Sequence, residues 1–214
     1  KTRNRNCKIK KRIIMRLSKV ISIILHPIFM PLLAFYLSIK LIPSIGFAIT
    51  NYLNYIYGVL VISSIILPLI SLFILIKSAR VESIEMTNHY ERPTPLFRTA
   101  FLIGLGYYLI ENILIFSPIL KSELLGAIII MIIAALISKY WKISLHMLGI
   151  GGLFGILISL NILFGGMEQI MVLTLLLAGV LGISRINEKA HSYKQIYVGF
   201  IVGASVEIIA ILLI

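Results

Sequence analysis

The chain alternates long apolar stretches with short polar connections, and the apolar stretches determine the expected fold. An α-helix of about 20 residues spans the hydrocarbon core of a bilayer, where the backbone must satisfy its own hydrogen bonds. The pattern therefore predicts an all-α, polytopic transmembrane bundle of about seven helices. We divide the chain into a basic N-terminal tail, residues 1–19, and a single transmembrane domain, residues 20–214. The apolar stretches lie at about 20–41, 54–76, 97–117, 122–138, 147–164, 168–183 and 196–214.

The composition supports a membrane protein and restricts its chemistry. Hydrophobic residues make up 59% of the chain, which is more than a soluble domain of this size carries. All eight acidic residues are glutamates, so aspartate-rich metal sites are excluded, and histidine and cysteine are too few for a zinc site. The one cysteine, Cys7, excludes an intrachain disulfide. We therefore expect no metal, no cofactor and no nucleic-acid partner.

The net charge of +12 is distributed unevenly, and the distribution predicts the topology. Nine lysines and arginines lie in residues 1–19, and nine more lie in the even-numbered connections. Only Lys40 and Lys121 fall on the other side. By the positive-inside rule, the N-terminus and these connections face the cytoplasm. We expect an integral protein of a bacterial inner membrane, with the C-terminus outside.

Polar residues that are able to carry chemistry are concentrated in three connections, at 77–95, 142–146 and 184–195. Two predicted helices separate each of these polar segments from the next. An even number of membrane crossings returns the chain to the same face, so all three are expected to meet there.

The residue types in these segments favour phosphoryl chemistry. Arg92 and Arg185 offer the planar guanidinium that binds phosphate oxygens, and Ser144 offers a hydroxyl. His146 lies at a predicted helix start, which favours anions. With His191 it suggests a division of labour, in which one histidine attacks phosphorus and the other protonates the leaving oxygen.

The same segments resemble the motifs of the type 2 phosphatidic acid phosphatase (PAP2) superfamily of membrane lipid phosphatases and vanadium haloperoxidases. The family pattern is KxxxxxxRP, then PSGH, then SRxxxxxHxxxD. The matching positions here are Arg92-Pro93, Ser144-Leu145-His146, and Ser184-Arg185 followed by His191 and Gln195.

The resemblance implies a function and a role for each residue. His191 would be the nucleophile, His146 the general acid, and Gln195 the residue that orients His191. Arg92, Arg185 and Ser144 would bind the phosphate. The expected activity is hydrolysis of a phospholipid or isoprenoid monophosphate or diphosphate through a phosphohistidine intermediate, without a metal.

The chain also departs from the family pattern. Glu85 stands at the family's lysine, Ile143 and Leu145 replace proline and glycine, and Gln195 replaces the aspartate. Lys77, Arg80 and Arg98 are the candidates to replace the missing lysine. An apolar hairpin, about 97–138, separates the first two motifs. These departures leave an alternative, a non-catalytic protein that binds or transports anionic lipid on the same frame.

Other residues permit two interpretations each. Glu111 and Glu207 lie inside apolar stretches, where an acid either ties helices together or relays protons or ions. His26-Pro27 indicates a helix kink rather than a ligand. A series of glycines predicts close packing of the helices that contain them; these are Gly149, Gly151, Gly152, Gly155, Gly199 and Gly203.

Overall fold

In the computed structural model of the chain, the backbone is described for residues 2–213 and the side chains for residues 12–213. All regular secondary structure in that part is helical. Helix α1 begins in the basic tail, so tail and first apolar stretch share one helix; the side chains of residues 1–11, including Cys7, lie outside the described part. The helices are α1 (Thr2–Ile24), α2 (Met30–Leu41), α3 (Pro43–Phe47), α4 (Leu53–Val61), α5 (Leu67–Lys77), α6 (Pro93–Leu114), α7 (Pro118–Ser138), α8 (Leu145–Phe164), α9 (Glu168–Asn187) and α10 (Tyr193–Leu213).

Six segments of the described chain are long and apolar enough to cross a membrane, which confirms the prediction of an all-α transmembrane bundle. Four of them are the single helices α7, α8, α9 and α10. The other two are composite and contain several helices each. The six segments are Arg12–Leu41, Thr50–Lys77, Pro118–Ser138, Leu145–Phe164, Glu168–Asn187 and Tyr193–Leu213.

The seventh predicted stretch, 97–117, corresponds to α6 but is not among these six. Its 22 residues suffice in length, but Arg98 near the start and Glu111 near the end make it less apolar. Only three residues join α6 to α7, and the two helices pack against each other. At the far end of this hairpin, Arg92 Nη1 donates to Ile143 O at 2.8 Å. Helix α6 therefore runs antiparallel to α7 over the same depth.

A proline changes the helix geometry within each of the two composite segments. Before Pro27, α1 ends at Ile24, and His26 caps the following 3₁₀ turn by accepting from Ile28 N at 3.3 Å, as the predicted kink requires. In the second segment, Pro68 has no N–H to donate to the carbonyl of Ser64. A π-helical turn at Ile62–Ile66 accommodates this loss and keeps α4 and α5 continuous.

Helix α8 lies at the centre of the bundle and approaches α10 at backbone contact. A Cβ built on Gly151 would overlap the Phe200 carbonyl oxygen, and one built on Gly203 would overlap that of Leu148. Gly155 is in the same position against Ala204. The predicted role of these glycines in close helix packing is confirmed.

The buried core is divided along the bundle axis. The largest cluster lies at the end remote from the polar segments and includes Phe35, Ile49, Ile110 and Leu157. Two smaller clusters underlie the polar end. One joins α6, α7 and α8 around Ala134 and Leu148, and the other joins α8, α9 and α10 around Met147 and Leu181. The polar end therefore rests on a packed base.

We expect Gly203→Ala to lower the free energy of unfolding by about 1–3 kcal/mol, because the new methyl group meets backbone atoms of α8 that cannot rotate away. Gly179→Ala in α9 is the matched control, since a Cβ there meets nothing within 4 Å. Thermal unfolding of the detergent-purified protein measures both. Equal midpoints for the two variants would contradict the role assigned to the α8–α10 contact.

Candidate functional site

The three polar segments lie together at one end of the bundle. Arg92 of the first segment contacts the second through Ile143 O. The second contacts the third where Ser144 N donates to Gln195 O at 3.4 Å. The prediction that the three segments meet, made from the even number of membrane crossings between them, is confirmed. We call the place where they meet the basic site.

Helix starts surround the basic site. Ser144 is the N-cap of α8, and its hydroxyl is buried with no hydrogen-bond partner among the described residues. At the start of α10, the Gln195 side chain accepts from Ser192 N at 3.1 Å, as in a capping box. The positive ends of both helix dipoles therefore point toward the site and favour an anion there.

Gln195 determines the tautomer of His191. The side-chain oxygen Oε1 of Gln195 lies 3.0 Å from His191 Nδ1. Because an amide oxygen can only accept a hydrogen bond, Nδ1 carries the proton. In the neutral ring the lone pair is therefore on Nε2. This is the form in which a histidine can attack an electrophile.

The surroundings of His191 keep its ring neutral. Burial lowers the pKa of His191 to about 3, and the positive charges of Arg92, Arg185 and Lys142 act in the same direction. The hydrogen bond to Gln195 opposes them only in part. At neutral pH the imidazole is uncharged, so its Nε2 lone pair is available.

Arg92 is buried without a carboxylate partner among the described residues. Its Nε donates to Met86 O at 2.9 Å and its Nη1 donates to Ile143 O at 2.8 Å. Burial lowers the pKa of Arg92 to about 10, with a further contribution from Arg185. The guanidinium therefore remains charged at neutral pH, and its charge is not neutralised by these carbonyl acceptors.

Arg185 is held by a small polar cluster with α1. Its Nη1 donates to Glu188 Oε2 at 2.6 Å and to Ser22 Oγ at 3.2 Å, and Ser22 Oγ donates to Glu188 Oε1 at 3.0 Å. Arg185 Nε is buried and has no acceptor among residues 12–213. Arg185–Glu188 is the one salt bridge in that part of the chain.

Lys142 is the third cation of the basic site. Lys142 directly precedes Ile143, whose carbonyl oxygen accepts from Arg92. Burial lowers the pKa of Lys142, and the charges of Arg92 and Arg185 lower it further. Lys77 and Arg80, two of the residues considered as replacements for the family's lysine, are exposed on the surface. Glu85 is exposed as well and does not enter the site.

His146 faces α1. Its Nε2 lies 3.0 Å from the Ser22 carbonyl oxygen, so Nε2 carries a proton and donates it there. Its ring also meets that of His26 edge to face, with centroids 5.2 Å apart. The single N–H of a neutral His146 is therefore already used. Donation to a leaving group requires a second proton on Nδ1.

Sequence reasoning did not assign Lys142, Ser22, His26 or Glu188 to the site. Lys142 lies two residues before Ser144, and its charge was the available signal. Ser18 and Ser22 of α1 and His26, two residues beyond its end, follow one another at intervals of four and form a polar series at the start of the first apolar stretch. Glu188 lies three residues after Arg185, on the same helical face.

Comparison of the chain with protein-family models, curated proteins and solved structures finds no match. The interpretation of the basic site therefore rests on its own geometry and on the motif resemblance.

Protonation of His191 should destabilise the folded protein as the pH falls. The unfolded chain binds a proton at a pKa near 6.5 and the folded chain only near 3, so stability decreases between these values on acidification. Between pH 7 and pH 5 the loss amounts to about 2 kcal/mol. We expect His191→Gln to flatten this dependence, as measured by thermal unfolding from pH 7.5 to 5.

The control for this experiment is Ser192→Ala, whose exposed side chain does not titrate. It should retain the wild-type pH dependence. A His191→Gln protein that loses as much stability on acidification as the wild type would show that the folded-state pKa of His191 is not lowered.

Proposed function

We propose that this protein is a membrane-embedded phosphatase that hydrolyses a phospholipid or isoprenoid phosphate ester through a phosphohistidine intermediate. The observation that carries the proposal is the state of His191. Its Nδ1–H is held by Gln195, its Nε2 lone pair is available, and three cations lie around it.

The charge balance of the basic site favours a phosphate ligand. Arg92, Arg185 and Lys142 contribute three positive charges, and Glu188 contributes one negative charge. The remaining charge of about +2 matches a phosphate monoester dianion. The unpaired Ser144 hydroxyl and the unpaired Nε–H of Arg185 supply further donors of the kind that phosphate oxygens accept.

In the proposed reaction, His191 Nε2 attacks phosphorus and the bond to the leaving oxygen breaks. An imidazolium form of His146 retains its Nε2–H on Ser22 O and gives its Nδ1 proton to the leaving oxygen. Water then attacks the phosphohistidine and passes a proton to His146, which releases phosphate and restores His191. The arginines stabilise the charge on the equatorial oxygens during both transfers.

A lipid substrate agrees with the position of the site. The basic site lies at the end of the apolar helices, where a headgroup reaches the cations while its tails remain in the bilayer. The charge distribution along the chain supports a site on the cytoplasmic side of a bacterial inner membrane.

The first test is phosphate release by the detergent-purified protein from phosphatidic acid, phosphatidylglycerophosphate and a polyprenyl diphosphate. We expect release that is inhibited by vanadate and abolished by His191→Ala. Arg92→Gln should reduce the rate a hundredfold or more, because it removes a donor to the transition state. Glu168→Gln is the control, since Glu168 is exposed at the start of α9, at the end of the bundle remote from the site.

Glu188 competes with the substrate for Arg185 in this proposal, because its carboxylate accepts from the same guanidinium that would bind phosphate. We expect Glu188→Gln to lower KM for the preferred substrate several-fold, since the neutral amide leaves Arg185 more readily. Steady-state kinetics measure the change. An increased KM would indicate instead that Glu188 orients Arg185 for binding.

The second candidate function, non-catalytic binding or transport of anionic lipid, is favoured by two observations. The N–H of His146 is engaged by the α1 backbone, and Gln195 lacks the charge of an aspartate. This candidate predicts that phosphatidic acid binds and that no substrate releases phosphate. Binding that persists when Arg92 and Arg185 are both replaced by glutamine would exclude it.

A further inference from the structure

Helix α1 carries a row of positive charge that does not belong to the basic site. Arg12, Arg16 and Lys19 lie four and three residues apart in α1, and all three are exposed. Residues at these intervals share one face of a helix, and we call the three the cationic stripe. In the sequence, Arg5 and Lys8 continue the same spacing toward the N-terminus.

The cationic stripe has no acidic partner within residues 12–213. The one salt bridge in that part of the chain joins Arg185 to Glu188, and no residue of the stripe takes part in it. The three cations are therefore available to an anionic partner from outside the bundle.

A row of exposed apolar side chains runs beside the cationic stripe. Ile13, Leu17, Val20 and Ile24 follow one another at intervals of four, three and four, and 52%, 57%, 51% and 67% of their surfaces are exposed. Successive residues of a helix are about 100° apart around its axis, so this row directly adjoins the stripe. Aliphatic side chains exposed in a row favour contact with hydrocarbon rather than with water.

The remaining face of α1 is held by the bundle. Ser18 and Ser22 are only 3% and 6% exposed, and α1 packs against α9. Ser22 Oγ accepts from Arg185 Nη1 and donates to Glu188 Oε1. These contacts fix the rotation of α1 about its own axis, so the cationic stripe and the apolar row both face away from the bundle.

The cationic stripe lies where the chain enters the membrane. The first segment that is able to cross a membrane begins at Arg12, so the stripe occupies its first two turns. From Arg12 to Lys19 the helix rises by about 11 Å. The headgroup region on one side of a bilayer is about 5–8 Å thick, and long lysine and arginine side chains extend along the helix to reach it.

We propose that the cationic stripe and the adjoining apolar row form a binding surface for anionic phospholipid. The cations contact the phosphate oxygens of the headgroups, and the aliphatic side chains contact the acyl chains of the same lipids. An RNA or an acidic protein would match the charge of the stripe but leave the apolar row uncovered. An anionic phospholipid matches both rows, which is why we assign the surface to it.

This surface is separate from the basic site and does not depend on the phosphatase activity proposed above. It binds phosphate diesters on the outside of the bundle, whereas the basic site is buried at the end of α8 and α9. Because Ser22 joins α1 to Arg185, lipid bound along α1 also holds this helix beside the basic site.

The test titrates the detergent-purified chain with phosphatidylglycerol and, in parallel, with zwitterionic phosphatidylcholine, at low and at high salt. Cys7 is the one cysteine of the chain, so an environment-sensitive fluorophore attached to it reports on α1 rather than on the basic site. We expect a saturable response to phosphatidylglycerol that weakens at high salt, and little response to phosphatidylcholine.

The decisive variant combines Arg12→Gln, Arg16→Gln and Lys19→Gln. Each cation near a membrane surface strengthens the binding of anionic lipid about fivefold, so we expect the apparent affinity for phosphatidylglycerol to fall about a hundredfold. The matched control replaces three exposed cations of other elements by glutamine and should retain the wild-type affinity. These control residues are Lys40, Lys77 and Arg80.

Arg92→Gln separates this proposal from the proposed phosphatase activity, because it removes a cation of the basic site and leaves the cationic stripe intact. It should retain the response to phosphatidylglycerol, whether or not the protein releases phosphate. A response that is lost in Arg92→Gln, or that is unchanged in the triple variant of the stripe, would place the lipid elsewhere and overturn the proposal. An equal response to phosphatidylcholine, or a stronger one to a single-stranded RNA oligonucleotide, would overturn it as well.

Discussion

The close contact between the backbones of α8 and α10 is the constraint on which the rest of the structure depends. Glycines at positions 151, 155, 199 and 203 allow the two helices to approach until carbonyl oxygens of one occupy the space of missing side chains on the other. Because the helix starts then lie side by side, Ser144 N reaches Gln195 O. Deeper in the bundle, the same contact brings Glu207 to Gly152. The arrangement of the basic site and the buried position of Glu207 are therefore both consequences of one helix pair.

The basic site maintains its positive charge because backbone groups, rather than carboxylates, satisfy most of its donors. Arg92 is solvated by two carbonyl oxygens, which offset the cost of burial without cancelling the charge. Among the described residues of the site, only Arg185 has an acidic partner, Glu188, which directly follows the last residue of α9. Burial lowers the pKa of Lys142 and of His191, and the positive charges of the neighbouring arginines lower both further. Because these positive charges repel one another, the binding of an anion between them is favourable.

The sequence predicted the fold and the meeting of the polar segments, since the length of apolar stretches and the parity of crossings depend on the bilayer alone. It did not predict details that depend on helix rotation. Helices α7 and α10 are apolar on all sides, so no periodicity indicated that Glu123 and Glu207 share a cavity. Ser22 and His26 lie where the mean hydropathy is apolar, so hydropathy did not single them out. Arg98 and Glu111 reduce the mean hydropathy of α6, which made it the least clearly predicted helix. The direction of the His146 N–H depends on a carbonyl 124 positions away.

The distance along the chain between partners in the basic site has a consequence for biosynthesis. Ser22 and Glu188 are separated by 166 positions, so their hydrogen bond can form only after α9 and Glu188 have been translated. The contact between Arg92 and Ile143 likewise forms only after Ile143 has been translated. Contacts of such long range form late. A ribosome-bound chain that ends at Asn187 would thus carry Arg92 and Arg185 without His191, and the basic site could not form until residues 188–195 have been translated.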